Sequence, residues 1–123
     1  VGQAKPQGAL YQNAMLMATV GERPLGVQAA QVLAVTRFIS RKYADDSISV
    51  EAFGRRTTLM VRCATALAST SEISAVDTRD EPKTLKAFIA PAARYQDAPE
   101  VYCFGLLEYF DMPQLIALGE SQQ

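Results

Sequence analysis

The chain has 123 residues, 49% of them hydrophobic, and a net charge of −1 with acidic and basic side chains intermixed, which suits one globular unit or a piece of a larger one. It contains no histidine and two cysteines, which removes histidine-based triads, most zinc sites and any disulfide framework. No basic cluster marks a nucleic-acid partner, and no apolar run reaches the roughly 18–20 residues of a membrane span.

The opening Val1-Gly2-Gln3-Ala4-Lys5-Pro6 lacks the charged-then-apolar layout of a secretory signal and has no initiator methionine, so a processed chain or a fragment is expected. Residues 1–8, with two glycines, a proline and two glutamines, are expected to be loose. Residues 9–20 are rich in helix formers and predict a short helix, with Met15 and Met17 as core filler. Pro24 suits the first turn of a second helix over 25–43. Leu25, Ala29, Val32, Thr36 and Ile39 form its apolar stripe, widened by Leu33 and Phe38, while Gln28, Gln31 and Arg41 lie opposite. Arg41 and Lys42 complement the dipole at its end, and residues 44–47 read as a polar turn.

Residues 48–53 alternate as a strand and break at Gly54. The following helix, about 56–69, carries one charge in its body, Arg62, among residues that are apolar nearly all round, the pattern of a buried helix. Residues 72–77 predict a second strand. A helix of that length joins two strands of a parallel pair, so an α/β arrangement follows. Residues 77–82 read as a charged loop, and 83–90 as a short helix with Leu85, Phe88 and Ile89 inward. Residues 91–99 read as loop and 100–110 as an apolar helix. A last short helix is capped by Asp111 and ended by Gly119. Two strands make a poor sheet alone, so further strands are expected from chain outside this sequence or from a partner.

Three places invite a chemical reading. A strand, a sharp turn and a helix at residues 48–60 form the layout on which α/β enzymes mount a nucleophile. Laid on the G-x-S-x-G pattern, the five positions are Ala52, Phe53, Gly54, Arg55 and Arg56, so glycine stands where the nucleophile belongs. Glycine tolerates the strained backbone of such an elbow, which lets the turn persist without its chemistry. Thr57 and Thr58 lie beyond the apex and have no imidazole to activate them. The same turn, Gly54-Arg55-Arg56, offers backbone N–H groups and two guanidiniums to an anion; the plainer alternative pairs the arginines with Glu51, Asp77 or Asp80. Asp77, Asp80 and Glu81 follow the second strand, where carboxylates can hold Mg²⁺ or act as acid and base, or can simply be a solvated loop. Tyr102, Cys103, Phe104, Leu106, Leu107, Tyr109 and Phe110 form an apolar cluster that suits core packing or a pocket wall.

Three stretches give the chain a resemblance. These are Gly21-Glu22-Arg23-Pro24-Leu25 with its helix, the strand and turn ending in Ala52-Phe53-Gly54, and Phe104-Gly105-Leu106-Leu107-Glu108-Tyr109-Phe110-Asp111-Met112-Pro113-Gln114-Leu115. Together, over about residues 21–118, they resemble the middle of an α/β-hydrolase, closest to the acetyl xylan esterase and dienelactone-hydrolase-like branch. The resemblance implies a three-layer α/β fold with few parallel strands here, and carboxylic ester hydrolysis by a serine, histidine and acid triad without a cofactor. It places Gly54 at the serine, makes Asp77 the one weak acid candidate, and assigns residues 82–119 to a cap-like region. No triad residue carries over, so a small ester is the ligand of an intact relative and this chain is expected to be inactive alone. The alternatives are a non-enzymatic binding or assembly module that self-associates through unpaired sheet edges, and anion binding at the Gly54 turn.

Overall fold

In the computed structural model, residues 7–44, 48–69, 72–89, 94–96 and 98–121 are described. Helices α1 (Gln7–Thr19) and α2 (Pro24–Tyr43) come first, followed by strand β1 (Ser49–Phe53), helix α3 (Arg55–Leu67) and strand β2 (Ala75–Arg79). Two 3₁₀ turns (Leu85–Phe88 and Pro99–Val101) lead to the short helices α4 (Leu106–Tyr109) and α5 (Met112–Glu120). The architecture is mixed α/β, with a two-stranded parallel sheet whose strands are joined through α3. Ser49 lies opposite Ala75, Glu51 opposite Asp77 and Phe53 opposite Arg79.

The core forms around α3. Its Leu59, Cys63 and Ala64 meet Leu25, Ala29 and Leu33 of α2 on one side and Met112 and Leu115 of α5 on the other, with Ile73, Leu85 and Phe88 closing the cluster. Val50 and Val76 of the sheet pack against it. Two buried hydroxyls on α3 are satisfied within the helix: Thr58 donates to the Gly54 carbonyl (2.9 Å) and Thr65 to the Val61 carbonyl (2.8 Å). Gly119 lets α5 approach closely, since a Cβ there would lie 3.2 Å from the Thr65 Cβ. The short helix α5 is held by a capping box between Asp111 and Gln114. Asp111 also accepts from the Thr84 hydroxyl and the Leu85 N–H, both at 2.6 Å, so one carboxylate caps both α5 and the first 3₁₀ turn. At the end of α3, Glu72 accepts from the Ser69 N–H (2.9 Å) and pairs with Arg37 of α2 (2.6 Å).

The helical packing covers one face of the sheet. The other carries Ser49, Glu51, Phe53, Ala75, Asp77 and Arg79, all exposed. Among the described residues β1 pairs on one edge only. Beyond its free edge a groove of about 450 Å³ is lined by Val32, Val35 and Ile39 of α2 with Val50, Glu51 and Met60.

Several expectations need correction. The second strand starts at Ala75, because Glu72 is drawn to Arg37 and Ile73 is buried in the core. Residues 83–90 form only the 3₁₀ turn Leu85–Phe88, and Ile89 points outward at 58% exposure. The helix expected over 100–110 is broken, with Gly105 at φ 85° separating the second 3₁₀ turn from α4. Phe104 and Tyr109 are exposed, while Leu106 and Leu107 pack on the core, so that apolar cluster is split. Phe38 and Met15 are exposed too, and Gly119 lies inside α5. Helix α1 begins at Gln7, within the stretch expected to be loose. The expected features at residues 1–6, 45–47, 90–93, 97 and 122–123 lie outside the described residues.

Candidate functional site

The turn at Gly54 follows β1 and opens α3 immediately, as the sequence pattern requires. Its φ of 84° and ψ of 152° fall in a region that is essentially restricted to glycine. Two sets of hydrogen bonds fix this geometry. The Gly54 N–H donates to the Arg79 carbonyl (2.9 Å), which ties the apex to the end of β2. The Gly54 carbonyl accepts from both the N–H (3.0 Å) and the hydroxyl (2.9 Å) of Thr58, which fastens it to the first turn of α3. A Cβ built on Gly54 meets nothing within 4 Å, so the apex is bare and open.

Over this apex, at the C-terminal end of both strands, lies a cleft of about 490 Å³. Parallel α/β sheets commonly hold ligands at this end. Gly54, Arg55, Arg56 and Thr57 form one side, and Asp80 lines it from the end of β2. Phe88, Val101 and Tyr102 supply an apolar and aromatic side, and Arg94 also faces the cleft. The Tyr102 hydroxyl donates to the Phe88 carbonyl (3.1 Å). Its ring meets Tyr95 edge-on at 5.5 Å, and Tyr95 meets Tyr11 of α1 at 5.8 Å, so three tyrosines brace that wall.

The arginines find partners other than those expected. Arg56 pairs with Glu100, a buried carboxylate in the second 3₁₀ turn. Arg62 pairs with Glu81 (2.6 Å), and Arg79 lies over the Phe53 ring at 5.2 Å. Arg55 is exposed and makes no ion pair among the described residues.

The three carboxylates grouped by sequence are dispersed. Asp77 sits in mid-strand on the open face of the sheet, opposite Glu51, rather than in a loop after the strand. Glu81 is taken by Arg62, and Asp80 alone lines the cleft, with its backbone at φ 62°. Among the described residues no group of three or more acidic or thiol side chains comes together to hold a metal ion.

Neither thiol offers a nucleophile. Burial, reinforced by the nearby Cys103, pushes Cys63 up to about 12, and burial also raises Cys103 against the opposing pull of Arg23. Both therefore stay protonated at neutral pH. Sequence reasoning located Gly54, Arg55, Arg56 and Asp80, and named Tyr102 within an apolar cluster suited to core packing or a pocket wall, but did not find Glu100, Phe88 or Arg94. Those three reach the cleft or its arginine from segments more than 30 residues beyond the Gly54 turn, and no local pattern signals them. Among the described residues no helix is long and apolar enough to cross a membrane. Comparison with models of protein families, with curated proteins and with solved structures finds no match.

Proposed function

We propose that the chain is part of an α/β-hydrolase-like domain, related to the acetyl xylan esterase and dienelactone-hydrolase-like carboxylic ester hydrolases, that keeps the nucleophile turn without the nucleophile. The observation that carries this is Gly54, held at φ 84° and ψ 152° between a parallel strand and a buried helix, with its bare apex facing a cleft. Acyl transfer by a hydroxyl needs a nucleophile, a base to take its proton and a donor pair for the oxyanion. Gly54 has no side chain, the sequence has no histidine, and the Thr58 hydroxyl is spent on the Gly54 carbonyl. Asp77, the acid candidate, lies on the open sheet face, two residues before the end of β2. A three-layer arrangement draws support from α2, α3 and α5 stacking on one side of the sheet, and from the groove beside the free edge of β1, where a further strand fits. Glu51 and Asp77 on the opposite face weigh against a second buried helical layer.

A p-nitrophenyl acetate series tests the loss of catalysis. No saturable turnover is expected from the chain or from Gly54→Ser, because the variant still lacks a base; saturable turnover by the unaltered chain would overturn the proposal. A structure of the protein encoded together with its flanking sequence tests the ancestry. A strand paired to the free edge of β1 is expected, and a solvent-exposed edge in that longer chain would end the hydrolase assignment.

The free edge of β1 beside an apolar groove also favours a second reading, an assembly module in which copies pair through sheet edges. Light scattering separates the two, since a strict monomer at all concentrations rules out edge pairing.

A further inference from the structure

We infer that the cleft over Gly54 binds a free amino acid with an apolar side chain, held as its zwitterion. This rests on the proposed loss of the nucleophile only in that the ligand is held and not transformed. A volume of about 490 Å³ lies within the roughly 300–1,000 Å³ of sites that hold small organic molecules. The bare apex lets a ligand approach the backbone closely, as glycine does wherever main chain meets ligand.

Charge selects the head group. The bond from the Gly54 N–H to the Arg79 carbonyl (2.9 Å) joins two chain segments, and each continues into one exposed charged residue that lines the cleft, Arg55 on one side and Asp80 on the other. Neither forms an ion pair with the other or with any other described residue. Arg56 is met by the buried Glu100, and Arg94 already has an interaction of its own, so neither is assigned to the ligand. The remaining cation and anion balance, and their complement is a molecule that carries both charges close together. The guanidinium can donate two parallel N–H groups to an α-carboxylate, while the Asp80 carboxylate accepts from an α-ammonium. A monocarboxylate would leave Asp80 without a cation, and a simple amine would leave Arg55 without an anion. Asp80 sits at φ 62°, a left-handed conformation that aspartate takes more readily than most residues.

Shape selects the side chain. Phe88, Val101 and Tyr102 form an apolar wall of the same cleft. That wall is pre-set by the Tyr102–Phe88 hydrogen bond and by the contacts among Tyr102, Tyr95 and Tyr11, so little ordering is lost when a ring or branched chain packs against it. Free glycine would satisfy the two charges and leave this wall wet. An uncharged aromatic would cover the wall and leave both charges unmet.

Titration calorimetry on the full chain tests the assignment with L-phenylalanine and three compounds that each lack one feature. L-phenylalanine amide has no carboxylate, N-acetyl-L-phenylalanine has no ammonium, and free glycine has no apolar body. L-phenylalanine is expected to saturate the cleft, with each of the other three at least about tenfold weaker, the loss of one contact set. Arg55→Ala should weaken L-phenylalanine about tenfold without weakening the amide, and Asp80→Asn should weaken it about tenfold without weakening the N-acetyl compound. Arg37→Ala, remote from the cleft, should leave all four unchanged. Arg55 and Asp80 are exposed and asparagine tolerates the left-handed backbone, so these variants keep the fold, and matched unfolding curves verify this. Absence of saturation by about 10 mM L-phenylalanine, equal binding of any of the three other compounds, or an affinity unchanged in either variant would each overturn the inference. The p-nitrophenyl acetate assay on the same samples separates it from the functional proposal. L-phenylalanine binding together with turnover would sustain the site and end the non-catalytic reading, whereas neither binding nor turnover would end the site and leave that reading standing.

Discussion

The two faces of the sheet present opposite chemistry on the same ten residues. Val50, Ala52, Val76 and Thr78 turn toward α3 and the core, whereas Ser49, Glu51, Phe53, Ala75, Asp77 and Arg79 turn to the open side. Parallel strands are usually covered on both faces and read as continuous apolar runs. Here one face has become polar, and its register sets two carboxylates, Glu51 and Asp77, side by side. Its one large apolar group, Phe53, stays exposed, with the Arg79 guanidinium 5.2 Å over its ring. The covered face and its helices therefore hold the fold, and the open face is left to solvent or to a partner.

Breaking the covered face should have the largest effect. Leu59 is fully buried, and Leu59→Ala is expected to lose about 2–5 kcal/mol in urea unfolding. Phe53→Ala on the open face should lose about 1 kcal/mol or less. Equal losses would mean that the open face is covered in solution.

The junction between strand and helix comes next. Gly54→Ala meets no steric contact but must adopt a backbone conformation reserved for glycine, so a loss of about 1–3 kcal/mol is expected from strain alone.

Asp111→Ala should lose about 0.5–2 kcal/mol by uncapping α5, which backs the covered face. Acid titration sharpens this. Desolvation pushes the Asp111 carboxyl up, but donation from Thr84, Leu85 and Met112 together with the Lys86 charge outweighs it, and the group sits below its ordinary value. The hydrogen bond from Arg37, with that from the Ser69 N–H, lowers Glu72 likewise. A depressed carboxylate stabilises the fold above its unfolded-state value, and that contribution is lost as pH falls through the folded one. The stability gap between the unaltered chain and Asp111→Ala, read from unfolding curves at stepped acidic pH, should therefore close on acidification. A gap that widens would contradict the capping geometry.

The smallest effect belongs to the open face itself. Asp77→Asn removes one of two like charges in register and should gain about 0.2–1 kcal/mol at low salt, with the gain shrinking as salt screens the pair.

What the sequence made legible follows the range of the physics involved. Helix α3 was plain because its apolar residues leave little room for a solvent face, and the Gly54 turn because only glycine fits its backbone. The start of β2 was misplaced because Glu72 and Ile73 look like strand residues, while pairing with β1 decides which residues enter the ladder. The partner of Arg56 was illegible for the same reason. Glu100 lies 44 positions away, and Asp77 and Asp80, nearer in sequence, are held elsewhere by the strand register and the turn after it. Tyr102 of the cleft wall reads from sequence as part of one apolar helix, whereas that segment folds as a 3₁₀ turn and the short helix α4, and Phe88 reaches the same wall from the earlier 3₁₀ turn.

Asp111 joins chain segments 26 positions apart by accepting from the Leu85 amide while capping α5. One carboxylate thus closes a loop that contains the Phe88 and Tyr102 wall, so that neither end can fray without releasing the other. The Leu85 and Met112 amides should then exchange with solvent as a single cooperative unit, in step with each other. Access to the cleft would thereby be coupled to the folding of a helix that does not line it.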